Sequence, residues 1–334
     1  MVALVTAVGV FALSLALLLL ASDAFTSAAE QLGLAMGVSP FIVGATVVAG
    51  GTSLPELVSS VLAAASGAPA IVVGSVVGSN VANIFLILGL AAVVGGRLRI
   101  DRELMRVDLP LLTASAAFLF VTVWTGPFVW YEGVVALAAL LVYVHFSLSE
   151  EARLDDVVED LIAEHVEDAD VAVARGDLDA AATEATVGPR TYLVIAASLV
   201  AVFLSAEALV RSIVDIAGTL QIGTELVAIT AVSLGTSLPE IAVSVAAVRR
   251  GSVETAVGNV LGSNVFNSLA VMGIPSFVAP LTVPASIRGY ALPVMLVATL
   301  LYYFITQDRE ITAWEGVTLL LMYVAFLANL AGFA

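Results

Sequence analysis

The chain is 334 residues long, with 60% apolar and only 12% charged side chains, against about 25% charged in a soluble domain. Its mean hydropathy is +1.08, and it reads as a bilayer protein with enough apolar residues for about ten helices of ~20 residues each. The apolar runs are continuous, unlike the alternating segments of a β-barrel. Cys is absent and His numbers two, His145 and His165, which excludes a disulfide framework, thiolate metal sites, Cys nucleophiles and His-rich zinc chemistry. Net charge is −16, from twelve Arg, no Lys and 28 acids. Nucleic acid and anionic lipid surfaces need basic clusters that this chain lacks.

The first apolar run, 2–21, has no basic residue before it and no small-residue cleavage site, so a retained helix is expected and not a signal peptide. The second run, 40–65, holds Gly51-Thr52-Ser53-Leu54-Pro55-Glu56 in its middle. The third, 70–94, carries Ser75, Ser79 and Asn83 at every fourth position, with Gly74, Gly78 and Asn80 between them. Runs at 107–125 and 128–148 follow. Thirteen acids then crowd Glu150 to Glu184, the composition of a solvated, self-repelling connector. Beyond it lie runs at 191–213, 224–248, 254–278, 289–306 and 312–332. Ten spans are thus expected. An external amino terminus places ten Arg in cytoplasmic loops and only Arg211 and Arg288 outside, so both termini are expected outside and the connector in the cytoplasm.

A shift of 184 residues lays TVVAGGTSLPELVSSVLAAASG (46–67) on TAVSLGTSLPEIAVSVAAVRRG (230–251), and GSVVGSNVAN (74–83) on GNVLGSNVFN (258–267). No gap is needed, and about half of the aligned positions are identical. A weaker echo, WYEGVV at 130 and WEGVT at 314, opens the fifth and tenth runs. Residues 1–149 and 190–334 therefore form two five-span repeats joined by 150–189. An odd number of spans inserts the second half upside down relative to the first, the plan of secondary transporters.

Pro55 and Pro239 lack an N–H, so the carbonyls of Gly51 and Gly235 lose their helical partners and become available as ligands. Thr52 and Ser53 share a helix face with Glu56, as Thr236 and Ser237 do with Glu240. A Glu in a spanning helix costs about 2.5 kcal/mol or more and marks function by default. Ser79, Asn83, Ser263 and Asn267 extend each polar stripe toward the glutamates, whereas Asn80 and Asn264 point away as braces. The glycines of the third and eighth runs are read as packing positions. Carboxylate, hydroxyl and amide oxygens without nitrogen or sulfur suit a hard cation, and two glutamates match the charge of one Ca²⁺. Na⁺ has nearly the same radius and uses the same ligand atoms. The ions are expected as transported substrates, with no resident cofactor.

The doubled GTSLPE and GSN-x-x-N segments resemble the two α-repeats of the sodium/calcium exchangers, within the cation/calcium antiporter superfamily. The resemblance extends over all ten spans. It implies an all-α polytopic fold of two inverted five-helix repeats with helices broken at the ion site, and Na⁺/Ca²⁺ antiport across the cell membrane by alternating access. Its implied ligands are Glu56 and Glu240 with Thr52, Ser53, Ser79, Asn83, Thr236, Ser237, Ser263 and Asn267, completed by the backbone carbonyls of Ala49 and Ser233. It also implies that the first and sixth spans slide across the core. One position departs from the family pattern: Asn267 stands where known members carry Asp, which argues against potassium dependence. A proton- or potassium-coupled calcium exchanger is the alternative among carriers. No HExxH or GxSxG motif is present, so an enzyme is not expected, and no obligate protein partner is implied.

Overall fold

The structure, a computed structural model, describes residues 2–100, 108–165, 187–219, 237–330 and 332. Helix α1 (Val2–Ala35) is followed by α2 (Pro40–Thr52) and α3 (Leu54–Ala65), which meet at a 40° bend. Then come α4 (Pro69–Gly95), strand β1 (Arg97–Arg99), α5 (Asp108–Thr125) and α6 (Trp130–His165). The second half supplies α7 (Pro189–Thr219), α8 (Leu238–Arg249), α9 (Val253–Phe277), α10 (Ile287–Ile305), strand β2 (Glu310–Thr312) and α11 (Ala313–Leu330). Among the described residues, eight helices are long and apolar enough to cross a membrane, and the bent pair α2–α3 makes a ninth span. The expected span 224–248 is represented by α8, its first part lying outside the described residues.

Three helices outrun the apolar stretches that foretold them. Hydropathy ends the first span at 21, yet α1 continues to Ala35. Both acids of this extension find partners in the other half: Arg250 pairs with Asp23 at 3.1 Å, and the Thr255 hydroxyl donates to Glu30 at 3.1 Å. Helix α7 likewise runs to Thr219, the position related to Ala35 by the repeat shift (35 + 184 = 219). Helix α6 carries on to His165, into the stretch read as a connector.

The repeat is visible in the pairing of loops as well as helices. Strands β1 and β2 are antiparallel, with Arg97 opposite Thr312. An isolated antiparallel bridge joins Phe128 to Leu281. The two pairings are related by the same shift (97 + 184 = 281; 128 + 184 = 312), and inversion puts them on opposite membrane faces. Neither short strand pair was foreseen, because three residues carry too little alternation to read. The motif segments also end alike, at Gly67 (φ +81°) and Gly251 (φ +85°). There the amides of Ala68 and Ser252 reach back to the carbonyls of Ala63 and Ala247, a left-handed cap that Gly adopts without strain.

The weak echo at 130 and 314 has a double structural role. Glu132 accepts the Val129 amide at 2.8 Å, and Glu315 accepts the Thr312 amide at 2.7 Å, so each Glu caps its helix start. The following glycine permits a close crossing. A Cβ on Gly133 would stand 2.8 Å from the Gly273 carbonyl oxygen, and one on Gly316 would stand 2.7 Å from that of Gly89 (89 + 184 = 273).

Helices α4 and α9 form the centre: 72% and 83% of their apolar windows are buried, against 17% for α1. That position lets them carry polar stripes without facing lipid. Helix α9 lies directly against α2, where a Cβ on Gly258 would meet the Phe41 carbonyl oxygen at 2.3 Å and one on Gly262 the Ala45 carbonyl oxygen at 2.1 Å. The packing role expected of these two glycines is therefore observed. We expect Gly262→Ala to lower the melting temperature of detergent-solubilised protein markedly, since overpacking costs about 1–3 kcal/mol. Gly9→Ala, at a helical position with nothing within 4 Å, is expected to leave it unchanged or slightly higher. Equal melting of the two variants would show that α2 and α9 do not depend on this contact.

Candidate ion-binding site

Each glutamate sits in the first turn of a helix, and in the first half that helix starts at the break between α2 and α3. Ser53 (φ −87°, ψ 2°) precedes α3 and Ser237 (φ −90°, ψ −1°) precedes α8, with Pro55 and Pro239 just inside. Pro55 brings no N–H to the Gly51 carbonyl four residues earlier, while Gly235 lies outside the described residues. In sequence, Ser-x-x-Glu at a helix start spells a capping box. Neither Ser53 nor Ser237 makes a side-chain cap. The Ser53 hydroxyl instead crosses to the other repeat and donates to Glu240 Oε1 at 3.4 Å.

The site is buried and assembled from both halves. Thr52, Ser53, Glu56, Ser79 and Asn83 from the first repeat, and Ser237, Glu240, Ser263 and Asn267 from the second, are all at most 5% exposed. Glu56 lies within electrostatic range of Glu240, and the Thr52 hydroxyl stands beside the Glu240 carboxylate. Helix α3 abuts the Asn267 turn of α9, and α8 abuts the Asn83 turn of α4. Each glutamate helix thus meets the asparagine of the opposite repeat. Among the described residues, Glu56 Oε2, Glu240 Oε2, Ser237 Oγ, Asn83 Nδ2 and Asn267 Oδ1 are buried without a hydrogen-bond partner, an arrangement that folded interiors otherwise avoid.

Two features of the site go beyond the sequence reading: a backbone geometry, and the bonding of Asn259, which its spacing puts in one polar stripe with Ser263 and Asn267. At Asn83–Leu88 and at Asn267–Val271 the helix widens to π geometry, starting in both halves at the stripe asparagine. Such bulges concentrate at functional sites, but no propensity in either segment announces them. The second is Asn259, fully buried in the α9 stripe. It accepts the Thr52 and Ser263 hydroxyls, each at 3.5 Å, and donates to Ser244 Oγ at 2.9 Å. Its place in the every-fourth-residue stripe was the available signal.

The remaining candidates divide. The Ala49 carbonyl already accepts the Ser53 amide at 3.0 Å and the Thr52 hydroxyl at 3.3 Å. Ser233 and Thr236 lie outside the described residues. Asn80 braces the core as expected, donating to Ser268 Oγ at 2.8 Å, while Asn264 donates to the Val260 carbonyl of its own helix at 2.6 Å. The two braces differ because Ile84 occupies the position matched to Ser268. No group of three or more His, Asp or Glu side chains converges among the described residues. What converges is a pair of carboxylates with neutral hydroxyl and amide oxygens, a donor set for a hard cation in flexible geometry.

Comparison with known proteins agrees with this architecture. The family model described as sodium/calcium exchanger protein matches residues 6–149 and 190–331. This chain belongs to the sodium/calcium exchanger protein family. Sodium/calcium exchanger MaX1 of Methanosarcina acetivorans is 31% identical over 95% of this chain and 96% of its own length. Inner membrane protein YrbG of Escherichia coli is 28% identical over 95% of this chain and 94% of its own. A solved structure of the sodium-calcium exchanger NCX_Mj, soaked with zero Na⁺ and Ca²⁺, superposes with a TM-score of 0.79 at 28% identity, covering 98% of this chain and 99% of that one. As in that fold, the chain is a multi-pass membrane protein of ten helices in two inverted repeats. The family match passes over 150–189, the acidic stretch between the halves.

In this exchanger-family site the two carboxylates are the only formal charges proposed as ligands. Glu56→Gln and Glu240→Gln are each expected to weaken calcium binding at least about 100-fold, because a unit charge ~4 Å away is worth about 4 kcal/mol at an effective dielectric of ~20. Calorimetry on variants that melt like the wild type checks this. Unchanged affinity in either one would rule out a shared two-glutamate centre.

Proposed function

We propose that this protein is a secondary active antiporter that exchanges Na⁺ for Ca²⁺ across the cell membrane by alternating access. The observation that carries the reading is the meeting of Glu56 and Glu240, from oppositely inserted repeats, in one buried cluster with hydroxyl and amide oxygens. Family membership supports it. Glu56 and Glu240 ligate the ions centrally, with Thr52, Ser53, Ser79 and Asn83 from one half and Thr236, Ser237, Ser263 and Asn267 from the other. The carbonyls of Ala49 and Ser233 flank them. Both termini are outside and the acidic 150–189 segment is a cytoplasmic joint.

Coupling follows from electrostatics. Two carboxylates stripped of water cannot cross a low-dielectric core uncompensated, so the site changes its exposure only when Ca²⁺ or Na⁺ neutralises it. Because both ions need the same oxygens, loading with one requires release of the other. Helices α1 and α7 pack along each other and touch the core, and they are the elements proposed to slide. At one face the Arg250–Asp23 pair ties α1 to the turn between α8 and α9.

Radioactive calcium uptake into vesicles under imposed sodium, potassium or proton gradients tests the reading. Uptake driven by an outward sodium gradient, without potassium, is expected. A strict potassium requirement, or proton-driven uptake with sodium absent, would overturn it in favour of the corresponding coupling.

The neutral Asn83 and Asn267 leave the centre at −2, so one Ca²⁺ brings it to zero and three Na⁺ bring it to +1. Sodium loading is then the half-cycle that moves charge. Asn267→Asp is expected to transfer charge movement to the calcium half-cycle, read as the capacitive current on solid-supported membranes after a Ca²⁺ jump. The absence of any calcium-evoked current in an active Asn267→Asp protein would show that residue 267 lies outside the charged centre.

A further inference from the structure

Along the stripes of α4 and α9 the two repeats agree at Ser79 and Ser263 and at Asn83 and Asn267, but differ at the first position, where Ser75 faces Asn259 in the alignment. The difference has a geometric consequence. Asn259 spans three hydroxyls: its Nδ2 donates to Ser244 at 2.9 Å, and its Oδ1 accepts from Ser263 and Thr52, each at 3.5 Å. The bond to Ser244 fixes which end of the amide faces the other two. In the first half, the hydroxyls of Ser75 and Ser79 make no hydrogen bond among the described residues.

A hydroxyl that ligates a cation must turn its lone pairs to the ion and its single proton to some other acceptor. The Thr52 proton also has the Val48 and Ala49 carbonyls, at 3.1 and 3.3 Å. The Ser263 hydroxyl has Asn259 Oδ1 as its sole acceptor among the described residues. We propose that Asn259 is a positioning residue for ion binding, which takes the Ser263 proton so that the Ser263 oxygen presents its lone pairs to the Glu56–Glu240 cluster. The second-half side of the site is thereby arranged before the ion arrives, whereas Ser79 orders its hydroxyl on binding. Partners that orient metal ligands from outside typically matter 10–100-fold in affinity. This rests on the exchanger reading above.

The test combines calcium binding by calorimetry with sodium-driven calcium uptake in vesicles, for wild type, Asn259→Ser, Ser263→Ala and the double variant. Asn259→Ser installs the residue that the first half carries. It is expected to raise the half-saturating Ca²⁺ and Na⁺ about tenfold with little change in maximal rate. The double variant should bind no more weakly than Ser263→Ala alone, since a residue that acts through Ser263 has nothing to orient once that hydroxyl is gone. Should Asn259→Ser fail to insert, Ser244→Ala removes the brace and leaves the amide in place, with the same direction and the same non-additivity expected. Additive losses in binding, or wild-type affinity in Asn259→Ser or Ser244→Ala, would overturn the assignment. Wild-type protein that binds calcium but shows no sodium-driven uptake would overturn the exchanger reading instead, and the binding comparison would still decide the role of Asn259.

Discussion

Two buried carboxylates within electrostatic range of each other are the constraint around which this molecule is organised. Placing one acid in hydrocarbon is costly, and placing a second beside it adds repulsion, so the pair persists only where cations and oriented oxygens compensate it. The rest of the fold meets that requirement. The most buried helices, α4 and α9, supply the hydroxyl and amide oxygens. The helix starts after Ser53 and Ser237 put each glutamate in a first turn, where free amides and the positive end of the helix dipole favour negative charge.

Bringing the pair together depends on how closely backbones approach. Gly258 and Gly262 let α9 lie on α2 with no room for a methyl group between them, and that contact carries Thr52 within reach of Asn259. Similar glycine crossings at Gly133–Gly273 and Gly89–Gly316 anchor the outer helices to the centre in both halves. In lipid such contacts stand in for the hydrophobic drive that helices lack toward one another. By contrast, most of α1 lies at the periphery, packed along α7 and tied to the second half by Arg250 and Thr255. In the proposed exchange cycle, the α1–α7 pair is the element that moves against this tightly packed centre.

The two halves are copies in sequence but not in bonding. Asn80 reaches Ser268 while its mate Asn264 bonds its own helix, and Asn259 bridges three hydroxyls while its mate Ser75 bridges none among the described residues. Under the proposed exchange of one divalent ion for several monovalent ones, such inequality is useful, since identical half-sites would offer identical affinities. Single substitutions between the repeats, Ile84 against Ser268 and Ser75 against Asn259, are enough to create it.

Composition alone determined that this chain lives in a bilayer, because sixty per cent apolar residues in continuous runs have no other stable solvent. The 184-residue repeat determined the inverted architecture, since an odd number of spans per half fixes the orientation of the next. The motifs placed glutamate, hydroxyl and proline on shared helix faces through spacing alone. Tertiary structure decided what spacing cannot express. It continued α1 past its apolar run because Asp23 and Glu30 found partners on another helix. It turned Ser53 from an apparent helix cap into a contact with Glu240, widened the helices at Asn83 and Asn267, and gave Asn259 its three partners. The contacts of Asp23, Glu30 and Ser53, and that of Asn259 with Thr52, join residues far apart in the chain, and the widened turns are a backbone geometry that packing selects; local sequence carries no record of either.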